Sequence, residues 1–172
     1  MKKLLMTAAV AAVALGLGST ASLAEAYKAC WIYVGPVGDG GWSFQHDQGR
    51  KAVVAELGDK VETVFVENVA EPDSDRTIER LARDGCKMIF TTSFGFMEPT
   101  LKVAAKFPDV KFEHATGYKT APNVATSNAR YYEGRYLAGL AAGRLATQAG
   151  YVAGFPIPEV VMGINSFILG AQ

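Results

Sequence analysis

Trp31-Ile32-Tyr33-Val34-Gly35-Pro36-Val37-Gly38-Asp39-Gly40-Gly41-Trp42-Ser43 passes from an unbroken apolar segment, through a glycine-rich turn, into a stretch with helical spacing. An apolar run bounded by glycine and proline reads as a buried strand, and the residues from Trp42 onward as the helix that it feeds. In open parallel α/β sheets, ligands sit in the crevice beyond the carboxyl ends of the strands. The turn therefore decides the fold and marks a candidate binding site at once.

Upstream of it, Lys2 and Lys3 precede an apolar run over residues 4–18, and Ser22-Leu23-Ala24 or Ala24-Glu25-Ala26 offers small residues for cleavage. Residues 1–26 are expected to be a secretory signal peptide, and the mature chain to be periplasmic. The apolar run is shorter than the roughly 20 residues that cross a bilayer. Cys30 follows Tyr27-Lys28-Ala29, which lacks the leucine and small residues of a lipoprotein cleavage site, so no direct membrane anchor is expected. The 172 residues carry 17 basic and 17 acidic side chains. That balance favours neither nucleic acid nor an anionic membrane as a partner.

Downstream, the pattern alternates. Residues 29–34, 61–66, 87–92, 110–115 and 124–127 read as strands, and residues 42–57, 74–83 and 98–106 as helices. Strands and helices in alternation imply an α/β fold, a parallel sheet flanked by helices on both faces. Gly58, Gly85 and Pro108 fall where helices should stop, and Asp73 or Ser74 is placed to cap the second helix. Residues 132–147 then read as a helix in which Gly134, Ala138 and Ala142 form a small-residue stripe suited to close packing. Residues 151–155 read as a strand and 159–171 as a helix.

Cys30 and Cys86 each precede an apolar strand by a similar distance. In an oxidising compartment they either pair or remain two buried thiols, and spacing leaves both open. With His46 and His114 as the only histidines and no close Cys/His spacing, no metal site is expected. No cofactor is expected either: the glycines of the first loop match neither the dinucleotide spacing nor a Walker lysine.

Three motifs in order resemble the basic membrane protein family of solute-binding proteins, which includes purine nucleoside receptors of ABC transporters. Asp39, Trp42, Ser43 and Gly49 stand at the positions of its first-loop motif. Glu133-Gly134 and Tyr136-Leu137-Ala138-Gly139 are similar to its second signature, and Gly150-Tyr151-Val152-Ala153-Gly154 with Pro156 to its third. The resemblance covers essentially all of the mature chain. It implies a two-lobed type I periplasmic-binding-protein fold, with residues 27–128 as the first α/β lobe and residues 129–172 as the beginning of a second, truncated one. It further implies a purine nucleoside or nucleobase held between the lobes and delivered to an ABC transporter permease.

Trp42 offers an indole face on which a flat heteroaromatic ring stacks, and the family uses an aromatic here for that purpose. Asp39 is placed to accept hydrogen bonds from ring N–H, amino or ribose hydroxyl groups, or simply to shape a turn. Gly40 and Gly41 let the backbone approach a ligand closely, and Ser43 stands where the family often has Asn. After the third strand, Phe94 and Phe96 flank the same crevice or lie as core beneath it. After the fourth, Thr116, Gly117 and Tyr118 reach it. Thr116 stands where family members commonly carry Asp, which implies a less polar ligand, a free base over a nucleoside. Asn128 and Arg130 fall at the implied crossover. His46 and Asp47 ride the first helix with no catalytic task and are expected to be solvated or to stand behind the site.

The alternatives are a receptor of the same family for a non-purine solute or signalling ligand, and an exported α/β enzyme. No catalytic residues are assigned, because no Gly-x-Ser-x-Gly elbow or Ser/His/Asp set is visible. His114, near the end of a strand, is the one residue that sustains the enzyme alternative.

Overall fold

The structure, a computed structural model, describes residues 25–172. The predicted signal peptide lies almost wholly outside the described residues. Five strands, β1 (Tyr27–Ile32), β2 (Val61–Val66), β3 (Met88–Thr91), β4 (Lys111–Ala115) and β5 (Val124–Ser127), form one sheet in the order β2-β1-β3-β4-β5. Every pairing is parallel, as the alternating sequence pattern predicts.

The sheet is covered on both faces because β1 is apolar on both. Cys30 and Ile32 point into a core with Ile78, Leu81 and Ala82 of α2 (Ser74–Arg83) and Val103 and Ala104 of α3 (Met97–Ala104). Ala29, Trp31 and Tyr33 point to the other face, against Val37, Phe90 and Val53 of α1 (Trp42–Leu57). There the Trp31 and Phe90 rings stack with centroids 4.4 Å apart.

α1, β2, α2 and β5 occupy their predicted spans, while the ends of most other elements shift by one or two residues. β1 begins and ends two residues earlier than expected. Tyr33 still donates its N–H to the Val66 carbonyl at 2.8 Å, so the chain keeps its course without continuing the ladder. Asp73 does not cap α2 with its side chain, which instead accepts from Arg76, and the Ser74 hydroxyl donates back to the Glu71 carbonyl. The larger correction concerns residues 151–155. They form no strand, since no described segment lies alongside to accept their ladder hydrogen bonds, and an extended segment without a partner has nothing to hold it.

Cys30 and Cys86 are disulfide-bonded, with Cα atoms 6.0 Å apart. Cys86 lies outside the ladder, in the turn between α2 and β3, where its N–H bonds the Leu81 carbonyl. From there the sulfur reaches Cys30 at a separation typical of disulfides.

α4 (Tyr131–Leu145) and α5 (Pro158–Ala171) pack against each other as a helical pair. The contact runs along Gly139 and Gly143 of α4 and Gly170 of α5. A Cβ built on these glycines would come within about 2.2 Å of backbone oxygens across the interface. The close-packing stripe thus has the four-residue spacing expected but lies on a neighbouring face: a Cβ added at Gly134 would meet nothing within 4 Å, and Ala138 is exposed.

Candidate functional site

The chain leaves β1, builds β2 on one side of it and then crosses to build β3 on the other. The carboxyl ends of β1 and β3 therefore diverge into a crevice. The β1–α1 loop on its rim is tied down from several directions. The Ser43 hydroxyl accepts from the Gly35 N–H at 3.1 Å, and the Glu67 carboxylate accepts from the Val37 N–H at 2.7 Å. The Asp39 carboxylate accepts from the Gly41 N–H at 2.8 Å. Gly40 sits at φ 68°, a conformation that favours glycine. Asp39 is exposed and shapes the turn, whereas Ser43 is buried and spends its hydroxyl on the loop.

Beneath the loop, α1 is fixed by a charge cluster. Asp47 is buried, which removes the solvated one of its two expected roles. Its carboxylate meets Arg50 Nε at 2.7 Å, Lys51 Nζ at 2.9 Å and the Tyr33 hydroxyl at 3.4 Å. Burial pushes the Asp47 carboxyl up, but the hydrogen bonds from Arg50 and Lys51 outweigh it and hold the group below its ordinary value. Burial first, and Asp47 second, raise the Tyr33 phenol. Arg50 also lies over the Phe65 ring, 4.7 Å from its centroid, so the cluster binds α1 to β2.

On this anchored helix, Trp42 is 38% exposed. Its indole N–H donates to the main-chain carbonyl of Thr92 in the loop after β3, a bond that spans the crevice mouth. The Thr92 hydroxyl in turn donates to the Ile32 carbonyl at 2.9 Å. His46, one turn along α1, meets Trp42 edge to face at 4.7 Å, and Tyr131 at the start of α4 approaches to 5.9 Å.

The loop after β3 divides its two phenylalanines. Phe96 is fully buried in the core, so it is not a ligand contact in this structure, because the short helical turn Phe94–Phe96 directs it beneath the loop. Phe94 stays half-buried at the surface, 4.8 Å from Phe155 and 6.2 Å from Tyr118. Thr116 adopts φ 69°, strained for a β-branched residue. Gly117 folds directly over the His114 ring, leaving no space for a Cβ. His114 itself is fully buried, with Nδ1 2.8 Å from the Thr91 hydroxyl, and burial pushes its pKa down to about 4. It exposes nothing to the crevice, which removes the residue on which the enzyme alternative rested.

Trp42, Asp39, Gly40, Gly41, Phe94, Thr116, Gly117 and Tyr118 are thus placed around the carboxyl edge of the sheet. Sequence reasoning missed Tyr131 and Phe155, which close on Trp42 and Phe94 from the other side. Asn128 donates to Glu159 at 3.2 Å and Arg130 meets Glu133, so both are engaged within the crossover. A separate open groove of about 750 Å³ along α5, lined by Tyr132, Val161, Met162 and Leu169, contains none of the predicted residues. Among the described residues there is no cluster of three or more metal-ligating side chains and no helix long and apolar enough to cross a membrane.

The family model of PnrA-like ABC transporter substrate-binding proteins matches residues 26–172. A purine-binding protein of Brucella abortus is 62% identical over 159 residues, covering 91% of this chain and 45% of that protein. A Haloferax volcanii protein, provisionally named as an ABC transporter glucose-binding protein, is 47% identical over 157 residues, covering 90% and 40% respectively. The chain therefore spans less than half the length of these curated relatives. Among solved structures, a solute-binding protein of an ABC transporter system from Aeropyrum pernix superposes with a TM-score of 0.69 at 23% identity, covering 84% of this chain and 42% of that one. One from Conexibacter woesei gives 0.65 at 23% identity, with 84% and 50% covered. These likenesses show the fold.

Proposed function

The chain belongs to the PnrA-like family of ABC transporter substrate-binding proteins, and from that premise we propose that it forms the ligand-gripping first lobe of a periplasmic receptor for a purine base or nucleoside. The observation that carries the proposal is the Trp42 indole, anchored at its nitrogen by the Thr92 carbonyl at the β1/β3 divide while the residue stays over a third exposed. A ring so held is a ready platform for a flat heteroaromatic solute. The 62% identity to a purine-binding protein supports the choice of ligand.

In this reading the solute stacks on Trp42, with Phe94, Phe155 and Tyr118 at the far side of the crevice. Asp39 and the backbone at Gly40 and Thr116 supply the polar contacts. The residues after Asn128 begin a second lobe that closes over the solute, and a permease recognises the closed form. A sugar is the second reading, favoured by the 47% identical relative named for glucose; aromatic platforms serve pyranose rings as well.

Calorimetric titration of the mature chain, beside a version extended to the relatives' length, with adenine, guanine, hypoxanthine, adenosine, guanosine, inosine and glucose decides between them. Saturable binding of purines by the long form, weakened at least tenfold by Trp42→Ala, is the expected result. Glucose binding alone moves the solute to sugars, and unchanged purine affinity in Trp42→Ala removes the stacking role.

A further inference from the structure

Trp42 is restrained by three neighbours that differ in kind. The Thr92 carbonyl fixes one point, the indole nitrogen, and a single hydrogen bond leaves the ring able to swing about it. Tyr131 belongs to α4, so its 5.9 Å approach depends on where that helix stands. His46 lies four residues beyond Trp42 on α1, on the same helical face, and its ring meets the indole edge to face at 4.7 Å with planes 67° apart. This contact lies within one helix and needs no other element to form it.

We propose that His46 is a positioning residue that sets the plane of the Trp42 indole before any solute arrives, and so tunes the site's affinity for flat ligands. The proposal rests on Trp42 being the stacking platform, and the contact itself is independent of that role. Burial holds the His46 pKa below the ordinary histidine value, so at neutral pH the imidazole meets the indole as an uncharged aromatic ring. The adjacent Asp47 does not compete for it, because that carboxylate is occupied by Arg50, Lys51 and Tyr33. A ring already held in its bound orientation loses less freedom when a ligand stacks, and aromatic pairs of this geometry are worth roughly a three- to tenfold change in an equilibrium.

The test compares His46→Ala, which removes the ring, with His46→Phe, which keeps an aromatic edge without ring nitrogens. Near-ultraviolet circular dichroism of each is read against a Trp42→Phe baseline, since Trp31 lies stacked in the core. His46→Ala is expected to lose most of the Trp42 signal with its unfolding midpoint little changed, and His46→Phe to restore it. In the full-length protein, hypoxanthine and adenine affinities are expected to fall roughly three- to tenfold in His46→Ala and to recover in His46→Phe. A Trp42 signal that survives in His46→Ala overturns the proposal. An altered signal with no purine binding by any form, wild type included, instead overturns the purine reading and leaves the positioning contact standing.

Discussion

Nδ1 of His114 lies 2.8 Å from the Thr91 hydroxyl, with both side chains fully out of solvent, and Thr100 extends the line with its own hydroxyl 3.0 Å from that of Thr91. The Thr100 hydroxyl also donates to the Phe96 carbonyl at 2.7 Å. The single hydroxyl proton of Thr100 is thus shared between the Phe96 carbonyl and the Thr91 hydroxyl, and the line ends on the His114 ring, whose Nε2 lies on its far side. That atom has no partner in the described structure and lies beneath Gly117.

Stability should therefore fall with acidification through one residue in particular. Unfolded, His114 takes a proton near pH 6.5; folded, burial holds it off until about pH 4. Between those values the unfolded state binds more protons, so stability declines as pH drops, and this group adds no further slope below the folded value. The loss should be on the order of 3 kcal/mol. Urea denaturation at stepped pH, with NMR titration of the histidine ring protons, measures it. A His114 resonance that titrates near the ordinary value would defeat the prediction.

Gly117→Ala should destabilise the β4 edge. The new methyl would stand 2.2 Å from Cδ2 of His114, a ring locked by its own burial and hydrogen bond, and 3.2 Å from Thr126. The loop must lift, at a cost of about 1 to 3 kcal/mol, and Tyr118 should move with it. Thermal unfolding and the Tyr118 NMR environment report the two effects, and a fully native-like variant would contradict the packing described.

Two glycines five residues apart on α4 should respond oppositely. Gly134→Ala meets nothing within 4 Å and should raise stability by about 0.5 to 1 kcal/mol through helix propensity. Gly139→Ala places a methyl 2.1 Å from the Phe167 carbonyl oxygen, which cannot yield without parting the helices. Loss of stability and increased amide exchange across α5 are expected only for the second. Equal behaviour of the two variants would show that α4 and α5 are not so closely joined.

The Cys30–Cys86 bridge closes a loop of 56 residues. On the chain-entropy account such a closure contributes about 4 kcal/mol. Chemical denaturation with and without reductant, repeated on a Cys30→Ala/Cys86→Ala double variant, should show a deficit of that order in both. A reduced protein as stable as the oxidised one would mean that the sheet and α2 hold the same ends together unaided.

The fold was largely legible because it is written in short-range signals. Residues 61–66 and 74–83 carry a dense apolar strand and a strongly one-sided helix, and both spans emerged as read. The misreadings arose where long-range partners decide. Residues 151–155 have a strand's composition but, among the described residues, no neighbour to pair with. Phe94 and Phe96 differ only in which way one short turn faces them, so sequence could name both and separate neither. Asp47 read as well for a surface acid as for a supporting one because its cations stand one turn away on the same helix, and only the burial of Tyr33 beneath reveals that the group faces inward. Tyr131 and Phe155 were missed because nothing local announces that the chain will return to Trp42 and Phe94.

The acceptor for Trp42 is a main-chain oxygen. No single base change at codon 92 deletes it, provided the loop keeps its path, so the tether survives while surrounding side chains drift. Exposed positions such as Tyr118 can then vary while the indole nitrogen keeps its anchor. On the proposed reading of Trp42 as the stacking platform, the preference for a solute can change through its neighbours without loss of the anchor that holds the ring.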